Sequence, residues 1–364
     1  MVEQDVVVDV DELKSFVRNI LVKIGVPNDD AMIVADNLVA ADLRGIPSHG
    51  VARFERYVKG IRDGLIGPVT TLTTVVETAA TATLDANDGL GQVAGKAAME
   101  LAIRKAGESG AGFVAVRHSN HYGIAAFYSM MALSRDMIGI SMTNSAPLVV
   151  PTFGSEIVVG TNPLSVAAPA SGERPFVLDM ATSAVPRGKV EVCERQGKPL
   201  PHGWATDDEG RGTTDAALVL KNLLERRGGG LLPLGGEGEL LGGHKGYGLS
   251  LMIDILTGVL SGGAFGTHLY EKKDGRPQPA NVSHFFGALD IKSFRPVGEF
   301  KKSLDRYMLE IKESAKAAGQ SRIYVHGEKE QEMAERLAKT GVPLHPKTAG
   351  MMRRIATEVG VQPF

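Results

Sequence analysis

Cysteine is nearly missing from this chain: Cys193 is the only one in 364 residues. One thiol closes no internal disulfide and builds no cysteine-based zinc site. It suits a reducing compartment, so a cytoplasmic protein is expected. Charge of one sign is also missing. There are 40 basic and 42 acidic residues, for a net charge of -2. No strong field draws nucleic acid or an anionic membrane, and neither is expected as a partner. No long apolar run stands uninterrupted. The most membrane-like stretch, residues 246–265, is broken by Asp254, Gly258, Gly262 and Gly263. It reads as a buried helix ending in a Gly-rich turn, because a charge at mid-bilayer is costly. The opening Met-Val-Glu-Gln-Asp has no basic stretch followed by an apolar one, so no secretory leader is expected.

Apolar residues make up 43% and charged residues 23%, the balance of a globular protein with a real core. The length allows one large unit or two lobes. Leu13, Phe16, Val17, Ile20 and Leu21 recur at helical spacing, and Met32, Ala35, Leu38, Val39 and Leu43 form a second stripe. A third helix is expected from near Ser48 past Tyr57. From residue 70 the pattern changes to short β-branched runs, read as strands over 70–76 and 81–86. Further strands are expected over 113–116, 138–142, 176–180 and 282–289. Helices are expected over 94–106, 124–133, 246–260, 298–317, 329–339 and 348–359. Residues 186–243 read as long loops with one short helix at 216–226. The Gly-rich patch at 228–230 and 235–238 reads as mobile. Strands and helices alternate, which predicts an α/β or α+β sheet layered with helices. The expected division is a helical region over 1–70, packed with C-terminal helices over 296–364, and a sheet-containing cofactor- and substrate-binding region over 71–295.

Gly89-Leu90-Gly91-Gln92-Val93-Ala94 matches G-x-G-x-x-A between a strand and a helix, the setting of a dinucleotide fingerprint. Such a site also needs an acid at the end of the next strand. That strand ends in Arg117-His118 instead. A tight turn needing glycine for close packing explains the pattern as well.

Five other segments carry chemistry-bearing residues. In Ser48-His49-Gly50-Val51-Ala52-Arg53, a helix capped by Ser48 would put His49 and Arg53 on one face, with Arg56 beyond. Arginine clamps a carboxylate and histidine passes a proton near neutrality. A solvated basic face with a structural histidine is the plainer alternative. Arg117-His118-Ser119-Asn120-His121 follows a strand, where side chains commonly face a ligand crevice. No acid or cysteine nearby completes a metal set, so no metal is expected. Asn144-Ser145 and Asn162-Pro163 are donor-rich turns. Asp179-Met180-Ala181 ends a strand in an acid and small residues. Gly242-Gly243-His244-Lys245 opens a helix and suits an anion, although the P-loop spacing is absent.

Together these segments resemble the type-2 malate/L-lactate dehydrogenase family, with its sulfolactate, ureidoglycolate, diketogulonate and piperideine-2-carboxylate members. RGIPSHGVARFERYVKGI, VRHSNHYGIAAFYSMMAL, MTNSAPLVVPTFG, GTNPLSVAAPA, FVLDMATSAVPRGKV and GGHKGYGLSLMIDIL carry the likeness, in family order. It implies a non-Rossmann NAD(P) fold with a mixed, largely antiparallel sheet and a homodimer, and it makes the G-x-G-x-x-A match a structural turn. It implies NAD or NADP as cofactor and a small 2-oxo or 2-hydroxy acid as substrate, most simply malate/oxaloacetate or lactate/pyruvate. His121 and His49 fall on its proposed acid-base positions. Ser48, Arg53, Ser145 and Asn144 fall on substrate-contacting motifs. Asp179, Met180, Ala181, His244, Lys245, Gly327 and Glu328 fall on cofactor positions. Two departures stand out: His326 where Pro is usual before Gly327-Glu328, and an insertion over 236–242. A sulfolactate or ureidoglycolate dehydrogenase, a cyclic imino-acid reductase and a non-catalytic dinucleotide binder remain alternatives.

Overall fold

The structure, a computed structural model, describes residues 4–364. The first three residues, part of the stretch expected to hold no leader, lie outside the described residues. In chain order the helices are α1 (Val10–Lys23), α2 (Asn28–Leu43), α3 (Phe54–Arg62), α4 (Gly91–Ser109), α5 (Ala126–Ser129), α6 (Arg187–Arg195), α7 (Ala216–Glu225), α8 (Gly243–Asp254), α9 (Val297–Glu313), α10 (Glu328–Thr340) and α11 (Pro346–Val359). The central sheet has seven strands: β1 (Thr73–Glu77), β2 (Thr81–Asp85), β3 (Ala111–Ser119), β4 (Met137–Thr143), β5 (Leu164–Ala168), β6 (Phe176–Met180) and β7 (Val282–Asp290). Their order is β1-β2-β3-β7-β4-β5-β6.

Only β2 and β3 pair in parallel. They are joined through α4, as a parallel pair requires a crossover. Every other neighbouring pair in this sheet is antiparallel. The sheet is mixed and largely antiparallel, and the fold is not a doubly wound one. β7 arrives from far along the sequence and lies at the centre, buried along nearly its whole length.

Helix formation follows the apolar stripes. α1 buries Leu13, Phe16, Val17, Ile20 and Leu21, and the Asp9 carboxylate caps it by accepting from Asp11 and Glu12 N–H. This stripe joins α2, α3 and the C-terminal residues Val342, Leu344, Met352 and Ile355 in one apolar cluster. A short antiparallel ribbon, Val6–Val8 against Val342–Leu344, ties the chain ends together. α9 packs elsewhere, where Asp305 accepts from the backbone N–H groups of Ser171, Gly172 and Glu173.

Four expectations need correction. The third helix does not begin at Ser48. Two 3-10 turns, Pro47–His49 and Val51–Arg53, come first, with Gly50 extended between them. α6 forms where the sequence predicts loop: of its residues only Val190 is buried, so no apolar stripe marks it. The Gly-rich patch is not all surface loop. Residues 229–233 are buried, and Leu231 N–H donates to Leu148 O at 2.9 Å. Finally, α8 and its π-helical continuation Ile255–Val259 are not buried all round. Ile255, Val259 and Leu260 are 55%, 52% and 57% exposed.

Candidate active site

The two histidines come from separate segments and meet. Their rings stack with centroids 5.6 Å apart and planes 25° from parallel. Asp42, buried near the end of α2, organises the His49 side. Its carboxylate accepts the Val51 N–H at 2.8 Å. A Cβ on Gly50 would lie 2.0 Å from its Oδ1, so only glycine lets the turn wrap this closely around the carboxylate. Burial pushes Asp42 up to about 7. Arg53 Nε closes the turn by donating to Ser48 O at 2.8 Å. Ser48 does not cap a helix; its hydroxyl lies 3.0 Å from His49 Nδ1.

The His121 side is held by the G-x-G-x-x-A turn. Asn120 Nδ2 donates to the carbonyls of Asp88 and Gly89, each at 2.9 Å. A Cβ on Gly91 would lie 2.1 Å from Asn120 O. Gly91 therefore lets the loop after β3 sit against the start of α4. Tyr57 of α3 places its hydroxyl 2.6 Å from His121 Nδ1, and the Gly123 N–H donates to the same nitrogen at 3.3 Å. A backbone N–H only donates, so Nδ1 is an acceptor and the neutral ring carries its proton on Nε2. His118 takes no part. It turns to Asp85 at 2.8 Å, which also pairs with Arg117.

Burial, then Arg53 and Arg56, lower His49 to about 4. Burial, then Arg56, His49 and Arg53, lower His121 well below 6.5. Both rings are neutral at pH 7. Arg53 and Arg56 remain exposed, and Arg56 donates to the Tyr270 hydroxyl at 2.5 Å. The arrangement offers two guanidiniums for anionic groups beside two imidazoles for a proton.

A cleft of about 220 Å³ lies at the other end of the same segment, lined by Arg44, Ile46, Asp179, His326, Gly327 and Glu330 among others. Asp179, at the end of β6, accepts the Ala126 N–H at 2.8 Å. Burial raises it to about 6.

The profile of the malate/L-lactate dehydrogenase family matches residues 8–353. The chain belongs to this family. It is 51% identical to a malate dehydrogenase of Pyrococcus abyssi over 97% of this chain and 94% of the relative. It is 39% identical to an L-sulfolactate dehydrogenase of Methanocaldococcus jannaschii over 96% of each. The solved malate dehydrogenase of Pyrococcus horikoshii superposes with a TM-score of 0.89 at 45% identity, covering 100% of this chain and 99% of that one. The enzyme is a 2-hydroxy acid dehydrogenase, and its family's chemistry implies a nicotinamide cofactor.

The cleft fits such a group. Arg44 is buried with an unpartnered Nε. Gly327, at a φ of +96°, lets the cleft wall lie directly on β6, since a Cβ there would come 2.9 Å from Val177 Cβ. Half-buried Met180 and Ala181 continue from Asp179. His244 and Lys245 stand exposed at the start of α8. That start packs on Leu234, whose N–H donates to Thr182 O at 2.8 Å, so these motifs adjoin. Glu328 does not line the cleft. Its carboxylate accepts from Val325 N–H and pairs with Lys312 and Arg322. Asn144 is likewise spent on the backbone, donating to Ala264 O at 2.9 Å and accepting from Ser283 N at 2.8 Å. Ser145 is half-buried, with its hydroxyl 3.1 Å from that of Thr161.

Sequence reading missed four supports: Asp42, Arg44, Tyr57 and His284. His284 on β7 is fully buried between Thr143 and Ser119 hydroxyls, each at 2.8 Å, and stacks on Tyr122 at 4.6 Å. Burial lowers it to about 3. Tyr57 and His284 lie far in sequence from the residues they serve, Arg44 opens the motif that holds His49, and Asp42 stands just ahead of that motif. Among the described residues, no group of three or more His, Cys, Asp or Glu is placed to hold a metal ion. Among the same residues, no helix is long and apolar enough to cross a membrane.

Proposed function

We propose that the enzyme interconverts oxaloacetate and malate with NAD or NADP. The observation that carries this reading is the pair of guanidiniums, Arg53 and Arg56, beside the stacked His49 and His121. One arginine is enough for lactate. Two suit a substrate with an anionic group at each end, and relatives named malate dehydrogenase agree with that. A sulfonate would satisfy the second arginine as well, and a named sulfolactate relative makes sulfopyruvate the second reading.

In the reductive direction Arg53 holds the carboxylate next to the reacting carbon and Arg56 the far anion. His121 offers its Nε2–H to the carbonyl oxygen and fixes its orientation. When bound, a reduced nicotinamide supplies the hydride to C2. The imidazole pair, having taken up one proton from solvent as the anionic substrate arrives, gives that proton to the forming alkoxide and returns to its neutral state. Substrate charge offsets the two guanidiniums, which raises the proton affinity of both rings as the substrate arrives. Ser48 and Ser145 are the hydroxyls we assign to substrate orientation. Asp179, Met180, Ala181, His244, Lys245 and Gly327 form the cofactor wall, with Glu328 bracing it.

The chain acts as a homodimer in a reducing compartment, the cytoplasm. α8 and its continuation are inverted: small and polar Gly246, Ser250, Asp254, Thr257 and Ser261 face inward, while Leu251, Met252, Ile255 and Val259 face out. A second copy of the same face covers such a stripe by two-fold pairing. The lone, half-buried Cys193 fits a reducing compartment.

The test is loss of reduced-nicotinamide absorbance, crossing NADH and NADPH with oxaloacetate, pyruvate, sulfopyruvate and a cyclic imine. Oxaloacetate is expected to give the largest kcat/KM. A larger value for pyruvate would remove the role given to Arg56, and silence across the panel would remove the proposal.

A further inference from the structure

We propose that Arg44 binds a phosphate group of the dinucleotide; this rests on reading the Asp179–Gly327 cleft as the cofactor site. Arg44 follows the last residue of α2 and is 8% exposed, yet it lines the cleft. Its Nε has no hydrogen-bond partner. Glu330 and Asp179 act on it only through space, and neither closes to an ion pair. Burial weakens its hold on its proton. A buried, unpaired guanidinium is costly to a fold. It is retained where a ligand completes it.

The chemistry of that ligand follows from the side chain and its setting. Guanidinium presents a planar fork of donors that matches two oxygens of a phosphate. A second cation stands at the same cleft, against the carboxylates of Asp179 and Glu330. Lys329 lines it, with its Nζ 4.5 Å from the Tyr324 ring centroid. His326, the departure from the family's usual Pro, also lines the cleft. The substrate's carboxylates are served elsewhere, by Arg53 and Arg56. The segment 44–53 thus carries a guanidinium at each end, with Ser48 and His49 between them. One end is for the cofactor's phosphate and the other for the substrate.

The experiment measures Kd for NADH and for NADPH by nicotinamide fluorescence on the full-length protein without substrate, together with the ligand-free Tm. The variants are Arg44→Met, Arg44→Lys and Asp179→Asn. Arg44→Met is expected to weaken binding at least tenfold, with Arg44→Lys between it and wild type, and with a ligand-free Tm no lower than wild type. Loss for both dinucleotides assigns Arg44 to the bridging pyrophosphate. Loss for NADPH alone assigns it to the 2′-phosphate. Unchanged Kd for both in Arg44→Met overturns the proposal. If Asp179→Asn still weakens binding in that case, the cleft stands and only Arg44 falls; if neither variant matters, the cofactor reading falls too. If Arg44→Met does not fold, Arg44→Lys decides: an unchanged Kd with a lowered Tm makes Arg44 a structural brace and overturns its role.

Discussion

Two imidazoles stacked on each other and within the field of two guanidiniums do not hold a proton at pH 7 until something negative joins them. This sets a signed pH dependence. In the oxidative direction the ring must be neutral to accept a proton. His49, held near 4, is neutral above about pH 5. kcat/KM for malate oxidation is therefore expected to show no imidazole limb near 6.5 and to fall below about pH 5, while any limb near 7 belongs to Asp42 and is lost in Asp42→Asn; a limb near 6.5 that survives Asp42→Asn would contradict the electrostatic argument. Replacing His121 or His49 by Ala is expected to lower turnover about 10²-fold or more, the usual worth of a general acid. Near-normal turnover in both single variants would remove the imidazole pair from the chemistry. His284 makes a separate prediction. Its folded-state value near 3 lies below the ordinary 6.5, so the unfolded chain binds the proton that the fold refuses. The stability this contributes is complete above pH 6.5 and is lost as pH falls towards 3. Between pH 7 and 4 the loss is about 3 kcal/mol. Urea midpoints across that range would show it, and His284→Asn should flatten the curve. At this scale the sequence showed His49, His121 and Arg53 as chemically able residues. It did not show Tyr57 or Asp42, because their importance is a distance to another segment.

The turn between α2 and α3 is the element on which the site depends. Helical periodicity predicts a regular helix from Ser48, since Phe54, Tyr57, Val58 and Ile61 do recur correctly. It cannot see that Asp42 reaches forward to take the Val51 N–H, and this contact replaces the first helical turn with two 3-10 turns. Gly50→Ala is expected to cost roughly 1–3 kcal/mol of stability, the usual range for overpacking, because the new Cβ meets the Asp42 carboxylate. It should also lower kcat/KM as His49 shifts. Thermal unfolding and steady-state kinetics on the same sample would show whether the two losses travel together. The Gly89–Gly91 turn gives the converse lesson. Its pattern was legible, and the missing acid after β3 already argued against a dinucleotide fingerprint. Its use as a seat for Asn120 and the His121 loop required the fold.

Across the whole molecule, the stripe of α1 and the strands flanking α4 are readable because each buries a face with its own period, and α2 is readable as a helix although it is buried on more sides than its stripe. The place of β7 at the sheet centre was not, because it is fixed by partners more than a hundred residues earlier. α8 departs from its expected burial for a different reason. Its apolar length suggested burial inside one chain, whereas its polar side faces the core and its apolar side faces out. Ile255→Glu on that face is expected to halve the mass seen by light scattering while the fold survives by circular dichroism. An unchanged dimer would place the interface elsewhere, and a wild-type monomer would remove it.

The most direct test of the central claim follows deuterium from the C4 position of the reduced nicotinamide, using the stereoisomer that the enzyme consumes. With oxaloacetate as the acceptor, mass spectrometry is predicted to find malate carrying the label at C2. Malate formed without the label, or no malate at all, would contradict the account.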